Sequence, residues 1–168
     1  GTFSFYPVKH ITTGEGGMYV SRHADVAARS ARLRAFGVDR RHDQRAIPGH
    51  YDVTDLGLNY RMSEMQAALG RGQLRKIAAI LARRKANFTA LKRRLLDGVG
   101  EHVIILDSAD PDRASSYYCM TVILQGALAP QRDALVLRLN AAGVGTSIYF
   151  PQPVPAMTYY RNKYGCAR

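Results

Sequence analysis

The sequence predicts an α/β protein, because short strand-like patterns alternate with longer segments of helical period. Apolar residues alternate at Phe3 and Phe5, and a second apolar run at residues 18–20 follows a glycine-rich corner. The longest helical pattern begins at Ser63, and apolar residues then recur with helical spacing to about Leu96.

Two further segments lie between the first strand pair and this long helix. Residues 23–36 have helical spacing and end at Gly37, a common residue directly after a helix. Residues 40–55 are polar, and Pro48-Gly49 marks a turn within them. Because long loops in compact domains usually have a function or a partner that fixes them, we expect this loop to be held in place.

The long helix has a clear start. Ser63, followed three positions later by Gln66, predicts a capping box in which each side chain satisfies a backbone N–H of the first turn. Gly70 and Gly72 either weaken the early turns or allow another helix to approach closely. The pattern predicts one helix from Ser63 to about Leu96.

The remaining residues predict a small α/β lobe. Strands are expected at residues 103–106, 116–124 and 144–150. Pro130 suits the first turn of an intervening helix. A final helix is expected at residues 157–164, after a proline-rich extended crossing.

The composition fits one ordinary folded domain or two small lobes. Of the 168 residues, 46% are apolar and 22% are charged, which argues against disorder. No stretch approaches the ~20 apolar residues that span a bilayer, and the first residues do not resemble a signal peptide. Cys119 and Cys166 are too few for a disulfide framework, so we expect reduced thiols in the cytoplasm. The sequence predicts neither a membrane partner nor a metal site.

The net charge of +11 raises nucleic acid as a partner. No recognition motif accompanies the basic residues, so a solvated helix face is the favoured interpretation and no nucleic acid is expected. Nine of the 24 basic residues lie along one helical stretch: Arg71, Arg75, Lys76, Arg83, Arg84, Lys85, Lys92, Arg93 and Arg94.

Lys9 follows the first strand and is the residue best able to carry chemistry. A lysine amine forms a Schiff base with a carbonyl cofactor when a rigid element holds it. Ser4 offers a hydroxyl to a phosphate oxygen nearby. We expect Thr12 and Thr13 to stabilise the turn, and His10 to point away from Lys9 if the strand pattern continues. By spacing alone, a surface lysine before a hairpin is the favoured interpretation.

Several segments, in the same order, resemble those of a known enzyme family. Residues 2–17 are similar to its lysine motif, and residues 55–70 to its Gly-x-Asn-x-Arg-Met-x-Glu-x-Gln-Ala-Ala signature. Residues 142–151 resemble its Gly-Ile-x-Thr-x-x-Tyr-x-Pro strand, and residues 159–165 its closing helix. The chain therefore resembles the DegT/DnrJ/EryC1/StrS family, the pyridoxal-phosphate-dependent aminotransferases that act on nucleotide-linked keto-sugars.

The resemblance implies the C-terminal part of a fold-type I transferase. Residues 1–62 would be the end of the large cofactor-binding domain with its loop, residues 63–97 the long connecting helix, and residues 98–168 the small α/β lobe. The chain begins without Met and ends shortly after a predicted helix, so we expect it to be part of a longer protein.

The resemblance also implies roles for individual residues. Lys9 would hold pyridoxal phosphate as an internal aldimine, and would then act as the base that moves a proton between substrate and cofactor. Ser4 would bind the cofactor phosphate. Asn59 would reach across a homodimer to the phosphate of the neighbouring active site.

Arg61 and Tyr149 are candidate substrate contacts. Arg61 either binds phosphate or pairs with Glu64, and Tyr149 either contacts the sugar or packs within a strand. The implied partners are a nucleotide-sugar substrate, an amino donor expected to be glutamate, and a second copy of the chain. The 168-residue chain alone is expected to be inactive.

Two alternatives remain open. A sugar dehydratase of the same family is one, although the resemblance implies histidine in place of Lys9 in such enzymes. A non-catalytic basic module that binds nucleic acid or an acidic partner is the other.

Overall fold

The computed structural model describes residues 1–108, 110 and 112–165, and Cys166 lies outside them. The predicted α/β class is confirmed. The described strands and α-helices are β1 (Thr2–Ser4), β2 (Gly17–Tyr19), α1 (Ala24–Leu33), α2 (Glu64–Leu74), α3 (Ile77–Val99), β3 (Val103–Leu106), β4 (Thr121–Leu124), α4 (Arg132–Ala141) and α5 (Thr158–Tyr164). Short 3-10 turns lie at His42–Gln44, Gly100–His102, Gly126–Gln131 and Val154–Ala156.

The chain forms two compact units, Gly1–Lys92 with Asp107–Met120 and Arg93–Leu106 with Thr121–Arg168. In the first unit β1 and β2 pair antiparallel, with Phe3 opposite Met18. In the second unit β3 and β4 pair antiparallel, with Ile104 opposite Ile123. The division into large-domain end, connecting helix and small lobe stays a prediction.

Each unit buries little apolar surface. Among the described residues, the buried hydrophobic side chains are Phe88 in the first unit and Val103 in the second. Many large apolar side chains are exposed, and Leu56, Tyr60 and Met65 are 96%, 73% and 83% exposed. Apolar surface on this scale is typical of a protein that covers it with a partner or a further domain.

The end of α1 fixes both ends of the polar loop at residues 40–55. Phe36 and Gly37 have left-handed backbones with φ of 66° and 70°, so the chain turns sharply after the helix. Beyond this turn, Asp39 N donates to Asp52 O at 2.8 Å, and Val38 pairs with Val53 in an isolated antiparallel β-bridge. The loop is therefore closed at its base by the chain itself.

The start of α2 follows the predicted capping box. Gln66 N donates to Ser63 Oγ at 3.2 Å, and Ser63 N donates to Gln66 Oε1 at 2.9 Å. Gly70 then faces the hairpin that carries Lys9, because a Cβ at this position would lie 3.0 Å from Thr13 Cγ2. The glycine allows a close approach, although its neighbour is this hairpin and not a second helix.

The prediction of one helix from Ser63 to Leu96 is wrong. Helix α2 ends at Leu74 and α3 begins at Ile77. At the junction Lys76 N donates to the carbonyl three residues earlier, at 2.9 Å, and this bond is tighter than the four-residue spacing of an α-helix. The apolar spacing continues through the junction, which is why periodicity did not reveal the break.

Two predicted strands also differ from the structure. The strand expected at residues 116–124 is confined to Thr121–Leu124. The backbone carbonyls of Ser116 and Tyr118, which precede it, instead accept hydrogen bonds from His10 and from Arg84 of α3. Residues 144–150 do not form a strand, and within the described chain no strand pairs with them. A strand needs a neighbour to satisfy its backbone groups, and strand propensity alone does not supply one.

Candidate active site

Residues 5–16, here called the lysine turn, are closed by hydrogen bonds to the backbone of Phe5. Thr13 N and Thr12 Oγ1 both donate to Phe5 O, each at 3.0 Å. Thr13 is only 4% exposed, and its Oγ1 donates to Glu15 O at 2.7 Å. The two threonines therefore stabilise the turn, as predicted.

Lys9 lies half-buried in this turn and contacts a tyrosine far away in sequence. Its Nζ donates to the hydroxyl of Tyr118 at 3.3 Å and lies 4.5 Å from the centre of the same ring. Among the described residues, no carboxylate forms a salt bridge with Lys9. The amine thus has a phenol hydroxyl as its hydrogen-bond partner, and a lysine amine is the kind of group that forms a Schiff base with a carbonyl compound.

His10 also contacts Tyr118, so the prediction that it points away from Lys9 is wrong. Its Nε2 donates to Ser116 O at 2.7 Å, and its ring lies 5.7 Å from that of Tyr118. Strand β1 ends at Ser4, so the alternation of faces does not extend to residues 9 and 10.

Helix α3 holds the segment that carries Tyr118. One terminal nitrogen of Arg84 donates to Tyr117 O at 3.3 Å and to Tyr118 O at 3.0 Å. At the start of the segment, Lys92 Nζ donates to Asp107 Oδ2 at 2.7 Å. This hydrogen bond and the positive charge of Lys92 lower the pKa of the Asp107 carboxyl below its ordinary value.

Ser4 is linked to Lys9 through one residue. The backbone N–H of Tyr6 donates to Ser4 Oγ at 3.3 Å, and Tyr6 O accepts from Lys9 N at 3.0 Å. Ser4 is exposed, and its hydroxyl can still donate a proton to an acceptor such as a phosphate oxygen. The hydrogen bonds of Tyr6 therefore connect Ser4, at the end of β1, to the backbone of Lys9.

Asn59 and Arg61 lie together in residues 55–61, here called the asparagine segment. Arg61 Nε donates to Asn59 Oδ1 at 3.1 Å, and its guanidinium lies 4.7 Å from the ring centre of Phe36. Both residues are exposed, and in the described chain no salt bridge joins Arg61 to Glu64. No hydrogen bond among the described residues joins Asn59 to Lys9.

Tyr149 belongs to the second unit. Its side chain is 60% exposed and meets the ring of Phe150 edge to face, with the centroids 5.2 Å apart. It does not lie in a strand. Its predicted role as a substrate contact stays a prediction.

The sequence matches a family model over its whole length. The DegT/DnrJ/EryC1/StrS aminotransferase family matches residues 1–168. The chain belongs to this family. The resemblance inferred from the sequence motifs is thereby confirmed.

Relatives within the family include enzymes with different named reactions. A UDP-N-acetyl-3-dehydro-α-D-glucosamine 3-aminotransferase of Acidithiobacillus ferrooxidans is 31% identical over 158 residues, covering 91% of this chain and 37% of the relative. A dTDP-4-dehydro-2,6-dideoxy-D-glucose 3-dehydratase of Saccharopolyspora spinosa is 31% identical over 168 residues, covering 89% of this chain and 36% of the relative. The chain thus spans well under half the length of these relatives.

A solved structure shows the same fold. PseC of Helicobacter pylori, an aminotransferase involved in the biosynthesis of pseudoaminic acid, matches with a TM-score of 0.85 at 22% identity. The match covers 99% of this chain and 43% of PseC. The predicted fold class, the C-terminal part of a fold-type I transferase, is confirmed.

The lysine turn fits the pyridoxal phosphate on which this family depends. The cofactor needs an amine for its aldehyde, and Lys9 Nζ is half-buried, with a tyrosine and no salt-bridged carboxylate beside it. It also needs donors for its phosphate, and Ser4, at the end of β1, has an exposed side chain whose hydroxyl can donate. The roles of Lys9 and Ser4 in binding this cofactor stay predictions, and the chain spans only part of its relatives.

Sequence reasoning missed Tyr118 as a neighbour of Lys9. The two residues are 109 positions apart, and the pattern placed Tyr118 in a strand, on the same face as the apolar residues that follow it. The one unusual local signal was the consecutive pair Tyr117-Tyr118. Nothing in that pair indicates which distant residue it contacts.

Proposed function

We propose that the protein containing this chain is a pyridoxal-phosphate-dependent aminotransferase that converts a keto group of a nucleotide-linked sugar to an amine. The observation that carries the proposal is the amine of Lys9, half-buried against Tyr118 in a member of this family. An amine without a salt-bridged carboxylate loses no ion pair when it becomes neutral and attacks a carbonyl. Glutamate is the proposed amino donor.

Lys9 has two tasks in this proposal. It binds the cofactor covalently through Nζ, and after release it moves a proton at the reacting carbon of the substrate. When bound, pyridoxal phosphate supplies the electron sink that makes loss of this proton possible. The Tyr118 hydroxyl, at 3.3 Å from Nζ, is able to accept from the charged amine and to donate to the neutral one.

The other predicted residues bind and orient. Ser4 donates its hydroxyl proton to the cofactor phosphate, and Asn59 donates its amide to a phosphate in the neighbouring subunit. Arg61, which already contacts Asn59, provides a planar charged group for phosphate or pyrophosphate. Tyr149 offers a phenol to a sugar hydroxyl.

We propose that these residues form a complete site only in a longer, homodimeric, cytoplasmic protein. The relatives extend well beyond the matched part, and apolar side chains are exposed within the asparagine segment, at Leu56 and Tyr60, and after it, at Met65. The 168-residue chain alone is expected to be inactive.

The test uses the full-length protein that carries this sequence. It is incubated with pyridoxal phosphate and reduced with borohydride, and the labelled residue is located by peptide mass spectrometry. We expect the label on Lys9, and its loss in Lys9→Ala. Lys85→Ala, which removes an exposed lysine of α3, is the matched control and should keep the label. A label that persists in Lys9→Ala would contradict the proposal.

A dehydratase is the second candidate, because one relative with 31% identity is named as such. The two reactions differ in the product. Amino transfer replaces the keto oxygen with an amine and converts glutamate to its keto acid, whereas dehydration removes water from the sugar. Mass spectrometry of the nucleotide-sugar product, with and without glutamate, distinguishes them.

The basic-module alternative makes a different prediction. It requires salt-sensitive binding to DNA or to an acidic partner by a protein that takes up no pyridoxal phosphate. Binding of this kind together with an unlabelled Lys9 would favour it over both enzymatic candidates.

A further inference from the structure

The contact between Lys9 and Tyr118 has two parts that act on the same atom. The hydroxyl of Tyr118 is 3.3 Å from Nζ, and the centre of its ring is 4.5 Å from Nζ. A hydroxyl at hydrogen-bond distance restricts the direction of an amine, and a ring face attracts it when it is charged. Tyr118 thus limits where the end of a long, flexible side chain can lie.

The backbone around Tyr118 is held from two sides. His10, the neighbour of Lys9, donates to Ser116 O at 2.7 Å. Arg84 of α3 donates to the carbonyls of Tyr117 and Tyr118. These bonds connect the tyrosine both to the lysine turn and to the longest helix of the chain.

Tyr117 has an unusual backbone conformation next to this contact. Its φ of 52° is left-handed, which a bulky side chain adopts only at a cost in free energy. Its ring packs on the buried Phe88, with the centroids 5.2 Å apart. Strain of this kind persists where surrounding contacts enforce it, and it is often found at functional sites.

We propose that Tyr118 is a positioning residue for Lys9, whose hydroxyl and ring face hold Nζ in the orientation that attacks the cofactor aldehyde. The inference rests on the proposed function, since it assigns Tyr118 a role in the covalent attachment of pyridoxal phosphate. The left-handed turn at Tyr117 directs one tyrosine to the core and the next to Lys9. Free rotation of the lysine stem would otherwise lower the fraction of reactive orientations.

The two parts of the contact are separable by substitution. Tyr118→Phe removes the hydroxyl and keeps the ring, whereas Tyr118→Leu removes both. A role in packing alone predicts that Tyr118→Phe behaves as the wild type. A positioning role predicts graded effects, with Tyr118→Phe between the wild type and Tyr118→Leu.

The chain supplies a matched control in α5. Lys163 Nζ donates to Tyr159 Oη at 3.2 Å and lies 5.5 Å from the centre of that ring, so this pair repeats the same chemistry on an exposed helix. Tyr159→Leu removes a tyrosine from a lysine in the second unit, outside the proposed site. It should leave Lys9 chemistry unchanged.

The experiment measures how fast the full-length apoprotein attaches pyridoxal phosphate. The visible absorbance band is followed over a pH series, and borohydride trapping confirms attachment at Lys9. We expect Tyr118→Leu to slow attachment about tenfold and Tyr118→Phe about threefold, with Tyr159→Leu unchanged. Because the lost hydroxyl is a partner of the amine, the pH profile should change in Tyr118→Phe, a change that a packing role would not produce.

The outcomes separate the two proposals. If Lys9→Ala loses the label while Tyr118→Leu attaches the cofactor at the wild-type rate, the positioning role is wrong and the proposed function stands. If Lys9→Ala keeps the label, the proposed function fails and the positioning role fails with it. If Tyr118→Leu does not fold, Tyr118→Phe decides, and a wild-type rate and pH profile in that variant overturn the inference.

Discussion

The lysine turn is held mainly by side chains, whereas the asparagine segment is held mainly by its backbone. In the turn, the hydroxyls of Thr12 and Thr13 close the loop and the phenol of Tyr118 contacts Lys9. The asparagine segment instead satisfies the carbonyls that remain free at the end of α1. Its residues Leu58 and Tyr60 donate backbone N–H groups to Leu33 O at 2.7 Å and Arg34 O at 2.8 Å.

This difference indicates which substitutions each region tolerates. The lysine turn depends on particular functional groups, so removing one hydroxyl damages it. The asparagine segment depends on close backbone contact at Gly37 and Gly57, so added volume damages it while many side chains are replaceable. We infer that chemistry is concentrated in the first region and that the second mainly presents Asn59 and Arg61 at the surface.

The largest expected effect comes from Gly57→Ala. A Cβ at this position would overlap the backbone of Phe36 and Gly37, which side-chain movement cannot relieve. We expect a loss of about 3 kcal/mol in the free energy of unfolding, measured by urea denaturation. The folded fraction should still attach pyridoxal phosphate at Lys9, because among the described residues no hydrogen bond of the lysine turn involves Gly57.

Gly98→Ala is the matched control for this substitution. Gly98 lies in α3, and no atom of the described part of the chain lies within 4 Å of the position that its Cβ would take. Alanine favours a helix over glycine, so we expect a gain of about 0.5 kcal/mol. A similar loss in both variants would mean that the backbone contact at Gly57 does not hold the asparagine segment.

Thr13→Val should have an intermediate effect on stability and a clearer effect on Lys9. Valine keeps the shape of threonine in this buried position but loses the bond to Glu15 O, which costs about 1 kcal/mol. Attachment of pyridoxal phosphate should slow, because the turn that presents Lys9 loosens. Thr89→Val, on the exposed face of α3, should change neither quantity. Equal attachment rates in the two variants would argue against a turn held by side chains.

The smallest expected effect concerns the ion pair between Lys92 and Asp107. Asp107 begins residues 107–120, the segment that carries Tyr118. The pKa of Asp107 is lowered by Lys92, so their pairing stabilises the folded protein above the ordinary carboxyl pKa of about 4. This contribution is lost as the pH falls through the lowered pKa. Asp107→Asn should therefore shift the urea midpoint slightly at pH 7, and the shift should disappear as the pH falls below the lowered pKa of Asp107.

Asp97→Asn provides the comparison for this pH dependence. Asp97 forms no salt bridge among the described residues, so its variant should lack the shift of the urea midpoint that Asp107→Asn shows at pH 7. A pH-independent difference between Asp107→Asn and the wild type would mean that the carboxylate charge does not anchor the segment.

The sequence predicted those interactions that join residues close together along the chain. The capping box of Ser63 and Gln66 joins residues three positions apart, and Thr12 and Thr13 bind within their own turn. The order of the motifs also indicated the family. Each motif consists of residues that are close together along the chain, so the sequence shows it directly.

The features that the sequence did not predict depend on contacts with residues that are distant along the chain, which the spacing of residue types does not reveal. Residues 144–150 have strand propensity but no strand beside them in the described chain, and the helical pattern after Ser63 continues through a break. His10 and Lys9 both reach Tyr118 because β1 ends early.

The sequence by itself determined the family, the α/β class, the capping box and the threonine-closed turn around Lys9. Local hydrogen bonds and helical periodicity need only residues that are close along the chain. The tertiary structure decided that Tyr118 holds the lysine amine, since the two residues are 109 positions apart. Their contact arises from a left-handed turn at Tyr117 and from bonds to His10 and Arg84, which form only when distant segments fold together.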